Sequence, residues 1–498
     1  MKNSIKIILL FITIIIGSCT DLVEDPQGVM VSEGFFKTTS DVETAIFGAY
    51  GRMAMSSFWG GEVNTALMLL SDMVSTGQSG GPAHVYEINN FNVTSTNFFS
   101  SLMWKNAYEI IGITNTALYG LSLIDEDDDK KKLPLEAEAR VVRAYIYFTF
   151  VQVFKDMPYL DQVVTDPSAV STMSKTSEED IYQNIITDLK FGVEHLPMKY
   201  SNNVRTRVTA GTAATILSSV YLIRGEWQKA YDYAKWVIDN ASELDYSLVS
   251  DFQDLFNAEK QDGISEHIFA VDFLGQERYV ENDDYLANQT GNFLTGGWSI
   301  DLPSMAVYNT WDSRDYRKKV SFSDTLIING VVIPYTEFNV PRPIIAKYNR
   351  YVGNSYGGGR RSDNNYVIYR YAEVLLIAAE ALNEINGPTE EVLSYINQVR
   401  ERARRWPNKI SDYPADVAAG LSKDEFRQVV MEERRIELAF EYKRWFDIKR
   451  RQIGDEVFKG ENSLEPHPNF DGSKHYLLPI PQTELDINPN LAPQNPGY

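Results

Sequence analysis

Cysteine is almost missing from this chain. Cys19 is the single one in 498 residues. An intrachain disulfide is therefore excluded, and stability must come from the core. Histidine is nearly as scarce. His84, His195, His267, His467 and His475 show neither H-E-x-x-H nor any other two-histidine ligand spacing. They read as surface or satisfied residues, and no metal or cofactor is expected. Positive charge is in deficit, with 47 Lys and Arg against 68 Asp and Glu, a formal net charge of -21. Phosphate binding needs clustered basic residues, so nucleic acid is excluded as a partner. Beyond the N-terminus no stretch offers about eighteen uninterrupted apolar residues, so no membrane-spanning helix is expected.

What is present begins at the N-terminus. Lys2 and Lys6 precede "IILLFITIII", Ile7 to Ile16. Ten helical residues rise about 15 Å, roughly half of a bilayer core. That length fits the apolar region of a secretory signal. Small residues Gly17 and Ser18 then lead to Cys19, and "IGSC" resembles the lipobox of bacterial lipoproteins, with Ile where many lipoboxes have Leu. The resemblance implies a signal peptide of residues 1–18 and a lipid on Cys19. The other readings are an ordinary secretory signal cut nearby, or a buried N-terminal helix. Cleavage after Ser18 would remove Lys2 and Lys6 and move the formal charge from -21 to -23. A chain so acidic would be held at a membrane by its lipid and not by charge.

The rest reads as mainly helical. Trp104, Tyr108, Ile111 and Asn115 share one face of a helix starting near Leu102. A second helix runs from Leu135 toward Pro158. A third spans Ala210 to Arg224, and after Gly225 "EWQKAYDYAKWVID" starts another. In this pair Leu217, Tyr221, Ala230 and Ala234 follow the large, large, small, small pattern of a tetratricopeptide repeat. "YRYAEVLLIAAEALNE" and "EEVLSYINQVRERARR" form a further pair, joined at Gly387-Pro388 with Thr389 as N-cap. "KDEFRQVVMEERRIELAFEYKRWFDIKR" reads as one last helix. In it Glu433, Arg434, Glu437, Arg444 and Asp447 recur at helical spacings with opposite signs, as stabilising pairs rather than catalytic groups. "DEDDDKKK", Asp125 to Lys132, lacks an EF-hand glycine and reads as a solvated turn. Residues 56–100 and 270–360 are long irregular stretches rich in Gly, Asn, Ser and aromatics, which marks them as functional loops on a helical scaffold.

Taken together, "DLVEDPQG", "GFFKTTSDVETAIFGAY", "AEARVVRAYIYFTFVQVFKDMPYL", "IYRYAEVLLIAAEALNEIN", "EERRIELAFEYKRWFDIKR" and "YLLPIPQTELDINPNLAPQNPGY" resemble the SusD/RagB family from end to end and in the family's order. Two positions depart from its pattern: Lys155 and Tyr442 stand where glycine is common. The resemblance implies tetratricopeptide-like helix pairs with long inserted loops, in an N-terminal half of residues 19–230 and a C-terminal half of residues 231–498 folded as one unit. It implies a lipid-anchored protein on the outer face of the outer membrane. Such a protein captures a glycan, without catalysis, for a SusC-like TonB-dependent transporter. Peptide capture, as in RagB-like members, is the first alternative, and a surface glycosidase is the second.

An enzyme finds little support in the residues themselves. "GNSYG", Gly353 to Gly357, matches a nucleophile elbow, but "GGRRSDNN" follows where the elbow requires a helix. No carboxylate pair stands out as glycosidase acid and nucleophile. For a sugar, flat aromatic faces with polar neighbours are the expected contacts. Two loop clusters meet that requirement. One holds Trp59, Asp72 and Tyr86. The other holds Tyr279, Tyr285 and Trp298. The glycines beside Trp59 and Trp298 either leave room for a ligand or serve tight turns.

Overall fold

In the computed structural model the described residues are 32–77, 81–125, 129–164, 166–273, 284–350 and 362–498. Cys19, Tyr279 and the Gly353–Gly357 turn lie outside them. The architecture is mainly α. Its principal helices are α1 (Thr39–Met53), α2 (Glu62–Leu69), α3 (Phe98–Leu123), α4 (Asp129–Phe154), α5 (Glu178–His195), α6 (Ala210–Ile223), α7 (Trp227–Asp239), α8 (Tyr371–Asn386), α9 (Glu390–Ala403), α10 (Lys423–Glu437) and α11 (Lys443–Arg451). Contacts run as a succession: α1 on α3, α3 on α4, α4 on α5, α5 on α6, α6 on α7, α7 on α8, and α8 on both α9 and α10.

The repeat pattern read from the sequence explains one of these contacts directly. Leu217 and Tyr221 on α6, and Ala230 and Ala234 on α7, are all buried. The alanines let α7 approach α6 closely, and the Tyr221 and Tyr233 rings stack 5.7 Å apart. Thr389 caps α9 by accepting from the Val392 amide at 3.4 Å, and Gly387 turns the chain before it at φ 76°.

Short two-stranded ladders tie the intervening loops to this scaffold. Val74–Thr76 pairs with Asp301–Pro303, and His267–Val271 pairs with Tyr366–Arg370. Tyr369 and Arg370, which the periodicity assigned to the start of a helix, are therefore strand residues. A third ladder, Thr325–Ile328 with Val331–Pro334, forms a surface hairpin.

The last helix departs from the sequence reading. It breaks after Glu437 and resumes at Lys443, with Phe440 and Tyr442 at φ 65° and 57°. Every residue from Leu438 to Lys443 is buried. A helix with a solvent face cannot bury consecutive residues all round. The chain unwinds so that Phe440 meets Phe322, Glu441 meets Arg370 and Lys347, and Tyr442 meets Trp59.

The charges on this segment also differ from the expected pairs along one helix surface. They are buried, and they reach other elements. Arg317 binds Glu433 at 2.6 Å, Glu437 at 2.9 Å and Asp315 at 2.8 Å. Arg370 binds Glu441 at 2.8 Å and Glu266 at 3.0 Å, and also meets Glu437. Arg402 bonds Glu266 at 2.6 Å and also reaches Glu437. These three arginines, Glu266, Glu433 and Glu437 are at most 2% exposed. Arg434 bonds Asp447 at 2.9 Å across the helix break.

Burial alone would raise the Glu437 carboxyl. Arg402, Arg370 and Arg317 instead hold it well below the usual carboxylate range. Its contribution to stability is thus present above about pH 4.3 and lost as pH falls toward the folded value. Removing that charge takes one carboxylate partner from each of three buried guanidinium groups. Glu437→Gln is expected to cost about 3–5 kcal/mol, read as a lower urea midpoint at unchanged slope.

Candidate ligand-binding site

Tyr285 and Trp298 are brought together by a loop that folds back on itself. Asp284 Oδ1 accepts from the Leu286 amide at 2.7 Å and starts the short helix Leu286–Thr290. The Trp298 amide donates to Asn288 O, the Ser299 amide to Gly291 O and the Ile300 amide to Gln289 O, at 2.6, 2.9 and 2.9 Å. The two rings end 5.6 Å apart, edge to face at 67°. Both are half-buried. The turn between them presents Phe293 and Leu294, 39% and 42% exposed. Phe293 was missed in the sequence. It follows Gly291-Asn292 with no period around it, the same signal that singled out Trp298.

The glycines in this loop answer a question the sequence left open. Gly296 is at φ 84°. A Cβ on Gly297 would sit 2.3 Å from the Gly291 carbonyl carbon. They serve backbone geometry and not ligand space. Gly61 does the same on the facing segment, where a Cβ would come within 3.1 Å of Tyr285 Cβ. The Tyr285 amide donates to Gly60 O at 2.6 Å, which fixes the loop against the start of α2.

Tyr86 lies on the helix Ala83–Asn89, half-buried, with its hydroxyl 3.4 Å from the Gly81 amide. That helix is tied to the loop indirectly. Asn89 Oδ1 accepts from the Thr76 amide at 2.8 Å, and Thr76 is paired with Asp301. The Tyr86 helix and the Tyr285–Trp298 loop are thus both tied to one small ladder.

Two expected contacts lie elsewhere. Trp59 is fully buried, packed against Tyr442 at 4.8 Å and Tyr366 at 5.9 Å. It is a core residue, because the segment around it threads under the loops instead of over them. Asp72 is 1% exposed and forked to Arg444, at 2.7 and 2.8 Å. Burial pushes its carboxyl up, but Arg444 and Arg435 bring it below the ordinary value. Neither side chain is open to a ligand.

Raised carboxyls mark the base of the site. Burial pushes Asp284 and Asp301 up to about 7, and Glu62 as well. Asp284 and Asp301 are at most 1% exposed, so a sugar cannot reach them as a glycosidase pair would require. Among the described residues no cluster of His, Cys, Asp and Glu is arranged to hold a metal ion. None of the described helices is long and apolar enough to cross a membrane.

Comparison with known proteins decides the family. A family described as "SusD family" matches residues 303–498, and one described as "Starch-binding associating with outer membrane" matches residues 40–222. SusD-like protein P2 of Formosa agariphila is 44% identical over the whole of both chains. The chain belongs to the SusD family. A SusD homolog from Bacteroides thetaiotaomicron superposes with a TM-score of 0.82 at 21% identity, over 94% of this chain and 98% of its own. Surface glycan-binding protein A of the same organism, solved with laminarihexaose, superposes with a TM-score of 0.75 at 18% identity, over 92% and 99%. The SusD fold accounts for the helix pairs and inserted loops described above.

If the half-buried ring of Trp298 stacks on a ligand, Trp298→Ala should lose about 1–3 kcal/mol of binding, by analogy with aromatic stacking on bases. The melting temperature should change little. A loss of stability on the scale of about 3–5 kcal/mol would assign the ring to the core instead. A melting curve beside a binding isotherm separates the two.

Proposed function

We propose that this protein is a cell-surface glycan-binding lipoprotein. It is held on the outer membrane through Cys19, and it passes oligo- or polysaccharide to a SusC-like TonB-dependent transporter without cleaving it. The observation that carries this reading is the braced aromatic pair, Tyr285 and Trp298, with Phe293 exposed on the turn between them. A sugar ring has an apolar C–H face that such rings match, and a hydroxyl rim for nearby amides and hydroxyls. Tyr86, on the helix tied to the same ladder, and Tyr279 are the remaining proposed contacts. Membership of the SusD family supports the reading. So does the laminarihexaose bound by Surface glycan-binding protein A, a protein of the same fold. The acidic chain favours a neutral ligand over a polyanion.

Affinity electrophoresis against a panel of neutral glycans that includes laminarin tests the binding. Retardation by a neutral glycan, lost in Trp298→Ala, is the expected result. New reducing ends after incubation with the same glycans would refute the non-catalytic role. Retention of a peptide library with indifference to every glycan would favour peptide capture.

The anchor and partner have their own measurement. Cys19→Ser should move the protein from the membrane fraction to the soluble fraction. A gentle detergent extract of cells carrying the unsubstituted protein should yield the transporter with it, through an interface on the scale of about 2,000–5,000 Å². A Cys19→Ser protein that stays with the membrane as tightly as the parent would end the lipid-anchor reading.

A further inference from the structure

The loop that carries the aromatic pair rests on a hydrogen-bond chain that is one proton short. Thr65 Oγ1, on α2, lies 2.6 Å from Gln289 Oε1 and 2.8 Å from Asp301 Oδ2. A hydroxyl has one hydrogen to give. An amide oxygen and an ionised carboxylate both only accept. Two contacts this short therefore need a second hydrogen. Thr65, Gln289 and Asp301 are at most 1% exposed, and Asp301 Oδ1 has no hydrogen-bond partner.

No positive charge stands against Asp301 to keep it ionised. The elements packed on its strand are α2, Val74–Thr76, Leu286–Thr290 and Ile344–Ile345. Their titratable group is Glu62 at the start of α2, itself acidic. Asp284, just before Leu286–Thr290, is acidic too. Lys347, beyond Ile344–Ile345, bonds Glu441 at 2.7 Å. Among the described residues Asp301 has no ion pair.

We propose that Asp301 is a positioning residue for the aromatic site. It carries a proton that completes the chain Asp301 O–H to Thr65 O–H to Gln289 Oε1, and so clamps the loop of Tyr285 and Trp298 onto α2. The consequence for ligand rests on the glycan-binding reading of that loop; the clamp itself does not. Gln289 passes the constraint on, because its carbonyl oxygen receives the Ile300 amide, two residues from Trp298.

The electrostatics agree in sign. Burial raises the Asp301 carboxyl, the bond from Thr65 lowers it and the nearby Glu62 raises it, with a net value of about 7. An acid raised in the folded state keeps its proton below that value and loses it as pH rises through it. The clamp is closed in mild acid and loosens above neutrality.

Hydrogen exchange of the full chain, followed by mass spectrometry on peptides covering residues 284–303, tests this without any ligand. Rates are corrected for the intrinsic pH dependence of amide exchange. In the unsubstituted protein, protection of this segment should fall above pH 7, by at most about tenfold per pH unit for one coupled proton. Asp301→Asn places a permanent N–H donor against Thr65, so protection should stay high and flat with pH. Glu62→Gln removes the adjacent negative charge that raises the Asp301 carboxyl and should move the midpoint to lower pH; an unchanged midpoint, or one moved to higher pH, counts against the coupling. Thr65→Val should lower protection at every pH.

Flat protection in the unsubstituted protein would overturn the proposal. It would mean that the Gln289 amide is turned the other way, donating to Thr65 and leaving Asp301 ionised. A fall that persists in Asp301→Asn would overturn it too. If Asp301→Asn does not fold, the pH profile of the unsubstituted protein decides. Laminarin affinity measured at pH 6 and pH 8.5 gives the functional arm. If laminarin does not bind, the glycan retained in the panel takes its place; absence of binding by every panel glycan at both values would count against the glycan reading, while the exchange profile judges the clamp.

Discussion

Arg370 closes this fold on itself. It ends a strand that belongs to the loop region, and its guanidinium receives Glu266 from before the partner strand, Glu437 from the end of α10 and Glu441 from the break that follows. Three carboxylates held this close would repel without it. Arg317 and Arg402 complete the set by sharing Glu437. Taking such charges out of water is costly, so the arrangement is stable only when every partner is present and well placed. It therefore ties α10 and α11 to elements far away in sequence, and it explains why the C-terminal helix cannot run on unbroken. Planar, always-charged guanidinium groups suit this role better than lysine would.

The loops inherit their rigidity from the same region. The Trp59 ring packs against Tyr366, the first residue of the strand that ends at Arg370, and Tyr442, at the helix break. The segment just after Trp59 then supplies the Gly60 carbonyl that holds Tyr285. A core aromatic is thus separated by a single residue, Gly60, from a backbone bond to the candidate site. Trp59 therefore packs in the core where a ligand contact was expected. Asp72 repeats the pattern: its fork to Arg444 anchors the chain just before the strand that pairs with Asp301–Pro303.

Much of this was legible from the sequence, and the limits are physical. Helix pairs whose small and large residues alternate at helical spacing, such as α6 and α7, declared themselves. So did the family. Its two departures, Lys155 and Tyr442, both turn out to sit at left-handed φ, 65° and 57°. That is the conformation glycine adopts without strain, so the family's preference was readable as geometry. The helix break was not legible, because Leu438–Lys443 keeps an amphipathic rhythm while tertiary contacts override it. Trp59 and Trp298 looked alike as well, each an aromatic beside glycines. Local composition cannot say which ring is covered by a strand from elsewhere in the chain. Phe293 carried the same aperiodic signal beside Gly291-Asn292 as Trp298 but was passed over.

Two sets of acids in this protein have opposite dependence on pH. Glu437, Glu441, Glu380 and Asp447 face arginines, and burial is outweighed so that each carboxyl is lowered. What they contribute is in place above the ordinary carboxylate range and is lost only in stronger acid. Asp284, Asp301 and Glu62 have no such partners, and burial raises each to about 7. What they contribute is in place below the ordinary carboxylate range and declines as pH rises toward neutrality. The first group lies in the scaffold, and the second lies at the base of the aromatic loop. Compensated acids in the scaffold thus sit beside uncompensated acids under the loop. The separation follows from where the scarce positive charges were placed.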